Sequence, residues 1–232
     1  MENPGQAIVQ ASLILHAKGL VDAFGHVSRR HPRRADRFLM SRSMAPALVT
    51  IDDVLEHDMD GEPVAEPGAR VFLERHIHAE IYRARSEICA IVHSHAPAVV
   101  PYTVVEQPLR PIAHTCGFLH SVNRPFDVAD HEGDGSDLLV RTPQLGRALA
   151  DHLGDRAVVL MRGHGFTAVG RTVAEAVFRT VYTALNCQLL TTALQLGNPR
   201  GLSPAEAEEC ERTTGSQAER AWALWVADHA HA

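Results

Sequence analysis

Cysteine is scarce in this 232-residue chain, aromatic side chains make up only 5% of it, and it carries neither a basic stripe nor a long apolar run. Each shortage excludes something. Cys89, Cys116, Cys187 and Cys210 show no C-x-x-C spacing and mostly sit in apolar runs, so they read as reduced thiols, neither disulfides nor metal ligands. With 22 Lys and Arg against 28 Asp and Glu, the net charge is −6 and nothing favours nucleic acid as a partner. The longest apolar stretches fall far short of the roughly 20 residues that span a membrane. The opening segment Met1-Glu2-Asn3-Pro4-Gly5 lacks the charged-then-apolar pattern of a signal peptide. The expectation is a cytoplasmic protein with no membrane partner. No repeat, low-complexity linker or boundary divides the chain, and 45% hydrophobic residues supply a sizeable core, so residues 1–232 are expected to form a single domain.

Helices alternate with short strands, which predicts an α/β fold with a sheet covered by helices. Apolar spacing predicts helices over Gln6–Lys18, Val71–Arg85, Thr142–Leu153 and Thr172–Leu196. Strands are expected at His26–Arg30, Arg37–Met40, Asp53–Asp58, Ile88–His93, Ala157–Met161 and Phe166–Val169. A short helix is expected from Pro97 onward, whereas the Pro-, Gly- and His-rich stretch 105–141 gives no clear pattern. Ser203-Pro204-Ala205-Glu206 opens a C-terminal helix over residues 203–231 with an N-cap, a first-turn proline and an acid.

Histidine is what the chain has in quantity, with fifteen residues. His31, His57, His229 and His231 lie in polar or terminal contexts and read as surface residues. His93-Ser94-His95 differs, because it ends the apolar run Ile88-Cys89-Ala90-Ile91-Val92. Side chains two apart in a strand share a face, so this spacing aims two imidazoles the same way. His164, in the turn Arg162-Gly163-His164-Gly165 after a second apolar run, supplies a third. Its flanking glycines suggest unusual dihedrals or a close approach. Three imidazoles with open positions left over suit a catalytic divalent ion; zinc, manganese, iron and cobalt all fit. Glu74 lies on the helix preceding the His93 strand. It could relay protons, ligate the metal, or simply face solvent. His76 and His78 do not share a helical face and are not paired as ligands.

Glu74, His93-x-His95 nineteen residues later and the Gly-His164-Gly turn together resemble the class II aldolase/adducin family. Phe24-Gly25-His26-Val27-Ser28-Arg29 and Ile81-Tyr82-Arg83-Ala84-Arg85 support the resemblance, which runs from about Gln6 to Gly197. It implies a three-layer α/β/α sandwich around a mixed, mainly antiparallel sheet, and a homotetramer with sites at subunit interfaces. It also implies a divalent metal on His93, His95 and His164, with Glu74 as catalytic acid/base. This chain departs from the sugar-phosphate aldolases at His26, where they carry Asn, and at Phe72-Leu73, where they carry a phosphate-binding Ser-Ser pair. Ser41-Arg42-Ser43-Met44 replaces their Ser-Gly phosphate loop, and their proton-donor tyrosine is replaced near His114-Thr115. Apolar side chains leave phosphate oxygens unpaired.

The substitutions resemble a branch acting on hydroxylated aromatic acids, which includes decarboxylases of 3-hydroxy-2-methylpyridine-4,5-dicarboxylate and 3,4-dihydroxyphthalate. The expected activity is non-oxidative, metal-dependent decarboxylation of an ortho-hydroxy aromatic or heteroaromatic acid, a small-molecule substrate. Arg42 with Ser41 and Ser43 is the candidate clamp for a second carboxylate, because a guanidinium matches carboxylate geometry. His26, Ser28 and Arg162 are further pocket candidates, and Phe72 and Leu73 a candidate apolar wall. Three alternatives remain open: an aldolase or epimerase on a sugar or sugar acid, an iron-dependent oxygenase resembling a prenyl-hydroxyphenylpyruvate branch, and a non-catalytic adducin-like interaction module. The last helix, with Trp222 and Trp225, is a candidate lid or interface element, or else packs within the chain.

Overall fold

A computed structural model describes residues 3–122 and 124–230; positions 1–2, 123 and 231–232, His231 and both ends of the expected domain included, lie outside the described residues. In chain order the elements are α1 (Gln6–Ala17), β1 (His26–Arg30), β2 (Arg37–Ser41), β3 (Val54–Asp58), α2 (Arg75–Ala84), β4 (Ala90–Ser94), α3 (Ala129–Glu132), α4 (Pro143–Leu153), β5 (Val158–Met161), β6 (Gly165–Gly170), α5 (Val173–Leu196), α6 (Pro204–Thr214) and α7 (Ala218–Ala230). Six strands form one sheet in the order β3-β2-β1-β4-β6-β5. Every neighbouring pair is antiparallel.

The sheet is covered on both faces, which is why β4 and β5 read as nearly continuous apolar runs. Period-two alternation sorts them. Val27, Leu39, Ala90, Val92, Leu160, Phe166 and Ala168 join one core with α1, α5 and Trp225 of α7. Phe38, Met40, Ile91, Val159, Met161 and Val169 join a second core with α2 and α4. Each such fully buried Leu, Ile or Phe contributes roughly 1.5–3 kcal/mol. This is the expected three-layer α/β/α sandwich. Among the described residues no helix is long and apolar enough to cross a membrane.

Caps set several boundaries. Thr142 and Thr172 accept from the backbone N–H groups of Leu145 and Glu175 at the starts of α4 and α5, and Ser203 forms a capping box with Glu206. Other boundaries differ from the sequence reading. The helix expected from Val71 begins at Arg75, so Glu74 stands at its N-cap, not on its flank. The region 203–231, expected as one helix, is two, separated by a tight 3-10 turn at Gly215–Gln217. The short helix expected after Pro97 is the 3-10 segment Val100–Thr103. His57, expected on the surface, is fully buried and stacked on Phe38 at 5.0 Å. Burial pulls its pKa down to about 4.

Candidate metal centre

β4 runs through the middle of the sheet and carries His93 on the face covered by α2 and α4, at the strand's end. His95 lies two residues further on, and His164 comes from the turn joining β5 to β6. The register places His26 directly across from His93 on one side and Thr167 on the other. The two glycines beside His164 have separate reasons to be glycine. Gly163 holds φ +63°, and a Cβ on Gly165 would lie 2.2 Å from the Ser94 carbonyl oxygen. The turn therefore presses against the His93–His95 segment.

The three imidazoles converge through one nitrogen each. His93 Nε2 lies 2.9 Å from His95 Nε2 and 3.2 Å from His164 Nε2, and the third side of the triangle is 2.9 Å. Glu74 completes the group, with Oε2 at 3.5 Å from His93 Nε2 and 3.4 Å from His164 Nε2. Its other oxygen, Oε1, accepts the Val140 backbone N–H at 3.0 Å. All four ligand atoms lie within 4.8 Å of one another.

The outer nitrogens decide which protons the inner ones can hold. His164 Nδ1 lies 2.9 Å from the Leu138 carbonyl, which can only accept, so Nδ1 carries the proton and Nε2 is bare. His93 Nδ1 lies 3.1 Å from Thr167 Oγ1, which can accept the Nδ1 proton while giving its own to the Met161 sulfur at 3.8 Å. In that orientation His93 donates to Thr167, and its Nε2 is bare as well. Two lone pairs facing each other beside a carboxylate call for a cation between them. Their separation is close to the roughly 3.3 Å imposed by tetrahedral ligation at about 2.05 Å. The residues present fit a divalent metal, with outer partners that fix ring tautomers as such sites require.

Electrostatics agree. Burial, reinforced by neighbouring imidazoles, holds His93 well below the ordinary histidine range, and burial with His164 lowers that of His95, which favours the neutral form that a ligand needs. Burial also opposes a proton on His164, but the Glu74 hydrogen bond and charge and the Leu138 carbonyl outweigh it and raise that pKa. The same field that favours a proton there favours a cation at the centre.

Apolar residues lie near this cluster. Phe24, 66% exposed, has its ring 6.4 Å from that of His95; Leu73, 58% exposed, adjoins Glu74; the Phe72 ring lies 4.6 Å from His26. The other expected pocket residues are placed differently. His26 stacks on His93 at 4.9 Å. Ser28 is completely buried and bonded to His78 and Tyr82, so it lines no open pocket. Arg42 is engaged by Asp53 at 3.1 Å and Glu66 at 3.6 Å. Ser41 is buried in β2 opposite Val54, and Ser43 donates its backbone N–H to the Arg70 carbonyl. Arg162 donates to Asp127. Each arginine already has an acidic partner. Sequence reasoning missed Thr167, Leu138, Val140, His78 and Tyr82. Thr167 alone was findable, since it lies in the expected strand Phe166–Val169 just after the His164 turn.

Comparison with known proteins bears on this geometry. The model of the family described as "Class II Aldolase and Adducin N-terminal domain" matches residues 6–191. A decarboxylase of Talaromyces stipitatus, tropJ, is 39% identical over 246 aligned residues, covering 96% of this chain and 92% of that protein. A 3,4-dihydroxyphthalate decarboxylase of Arthrobacter keyseri is 32% identical over 186 residues, covering 76% of this chain and 73% of that protein. Among solved structures, an aldolase II superfamily protein from Pseudomonas syringae superposes with a TM-score of 0.80 at 20% identity, covering 98% of this chain and 94% of that one.

Proposed function

This chain belongs to the class II aldolase and adducin family, and on that premise we propose that it is a metal-dependent, non-oxidative decarboxylase of an ortho-hydroxy aromatic or heteroaromatic carboxylic acid. One observation carries the reading: a convergent His93–His95–His164 trio stands beside Glu74, with the Phe24 ring 6.4 Å from His95 and the Phe72 ring 4.6 Å from His26. Apolar walls suit a flat ring and offer a phosphate nothing to bond. The relatives named as decarboxylases support a carboxy-lyase.

His93, His95 and His164 would hold the divalent ion. The chemistry it supplies when bound is Lewis-acid stabilisation of the negative charge left on the ring and its ortho oxygen as CO₂ departs. Everything else falls to side chains. Phe72 and Leu73 exclude water from one flank of the ring. Glu74 is pinned through Oε1 by Val140, which leaves Oε2 facing the cluster. In its protonated form Glu74 gives its proton to the ring carbon as that carbon takes over the electron pair of the broken C–C bond. The products are CO₂ and the ring with hydrogen in place of the carboxylate; water then restores the Glu74 proton. With Arg42 and Arg162 occupied, a second substrate carboxylate would be met by a neighbouring subunit in the homotetramer that this reading includes.

The experiment is a screen of ortho-hydroxy aromatic mono- and dicarboxylates against protein loaded with zinc, manganese, cobalt or iron, under argon, following CO₂. Release of CO₂ without O₂ supports the reading. Release of an aldehyde and a ketone from a sugar acid, or CO₂ only when O₂ is consumed, overturns it.

A further inference from the structure

Beneath the metal centre runs a buried polar row that the proposed chemistry leaves unused. Tyr82 Oη lies 2.8 Å from Ser28 Oγ, Ser28 Oγ 2.6 Å from His78 Nδ1, and His78 Nε2 2.7 Å from His26 Nδ1. All four residues are buried. His26 ends the row, packed between the rings of His93 at 4.9 Å and Phe72 at 4.6 Å. Its Nε2 has no hydrogen-bond partner among the described residues.

Counting protons gives the row a direction. Each contact needs one donor, and each neutral imidazole has one proton to give. Among the described residues the Tyr82 hydroxyl has Ser28 as its one hydrogen-bond partner. Burial raises its pKa well above the usual tyrosine value, so it keeps its proton. Tyr82 therefore donates to Ser28, and Ser28 donates to His78 Nδ1. His78, neutral because burial lowers its pKa to about 3, then holds its proton on Nε2 and donates to His26 Nδ1. The proton of His26 is left on Nε2. Running the row the other way would strand the Tyr82 proton at a buried place with no acceptor.

We propose that Tyr82, Ser28 and His78 are positioning residues that hold His26 as the Nε2–H tautomer, so that His26 meets the substrate as a hydrogen-bond donor to an ionised oxygen, a carboxylate or phenolate. The proposal rests on the acid-decarboxylase reading for its substrate and on the hydrogen-bond geometry and burial of the row for its tautomer. An ionised oxygen accepts such a bond more strongly than a neutral hydroxyl, so the row favours acids over sugars.

The test uses zinc-loaded protein with isotope-labelled histidine. Long-range proton–nitrogen NMR reads the tautomer of each ring, and His26→Gln assigns the His26 signals. The wild type is expected to show Nε2–H at both His26 and His78. Tyr82→Phe removes one hydroxyl from an intact ring, and Ser28→Ala breaks the row at its second link. Each should mix the tautomers of His78 and His26 and raise KM for the acid roughly two- to tenfold, with a smaller change in kcat. Zinc content and melting temperature report whether each variant is folded. An Nδ1–H tautomer at wild-type His26 overturns the proposal, as do unchanged tautomers and KM in both variants. The NMR result is obtained without substrate, so it decides the tautomer even where no acid screened loses CO₂, an outcome that would count against the decarboxylase reading alone.

Discussion

His93 stands on the central strand and is aimed by a side chain, the Thr167 hydroxyl directly across the ladder. His164 stands in a turn and is aimed by a backbone atom, the Leu138 carbonyl, from a loop outside the sheet. The second arrangement depends on shape. Leu138 is the one non-glycine residue at positive φ among the described residues, at +63°, a conformation costing roughly 1 kcal/mol or more. Two residues on, the Val140 N–H grips Glu74. One strained loop thus orients both a candidate ligand and the candidate acid, using no side chain to do so. The strand half of the centre depends on residue identity, and the loop half on backbone path.

If both halves hold one ion, removing either is equally damaging. His93→Ala and His164→Ala should each abolish metal retention and lower kcat/KM by at least about a thousandfold, the several kcal/mol that a Lewis acid contributes. Metal analysis after dialysis checks this, and a variant that keeps both metal and activity would show that its half is dispensable. Glu74→Gln comes next. The amide oxygen still accepts from Val140 while the transferable proton is gone, so kcat should fall roughly 10²- to 10⁴-fold with metal content unchanged. Loss of metal in that variant would make Glu74 a ligand instead of an acid.

A smaller effect isolates the strand half. Thr167→Val keeps the shape of a fully buried residue and removes the oxygen that accepts from His93. Metal affinity should drop roughly 10- to 100-fold, the usual effect of losing an outer partner. Competition with a fluorescent chelator measures it. Affinity within twofold of wild type would mean that packing alone aims His93.

The contrast between identity and path also explains what the sequence could reveal. The strand half was legible because His93-x-His95 ends an apolar run and the period of two fixes which way both rings point. The glycines around His164 announced a constrained turn. Alternating helices and strands implied a sheet covered by helices, and the family resemblance implied the sandwich. Glu74 was found, but on a helix flank, because the helix start at Arg75 has no side-chain cap to mark it. The loop half was illegible in principle. Leu138 and Val140 contribute a carbonyl and an N–H that every residue except proline possesses, inside a stretch without periodicity. His78 was set aside by helical-face counting, which tests partners along α2 and says nothing about His26 on β1. Arg42 and Arg162 had the right chemistry for a clamp, yet their acidic partners Asp53, Glu66 and Asp127 are far enough away in sequence, or in loops, to escape notice.

The smallest expected effect tests the loop half. Asparagine tolerates positive φ better than leucine and retains the carbonyl, so Leu138→Asn should leave metal affinity within about threefold of wild type. Stability should change by no more than about 1 kcal/mol, because relief of strain offsets the lost packing of a partly buried side chain against the second core. Leu138→Pro carries the same carbonyl but locks φ near −65°. It redirects the loop, so it should weaken metal binding at least as much as Thr167→Val and should lower kcat as well, through the displaced grip on Glu74. Chelator competition and kcat, measured side by side on the two variants, separate path from identity at one position. Equal losses in both would mean that the leucine side chain, and not the course of the backbone, holds His164 in place.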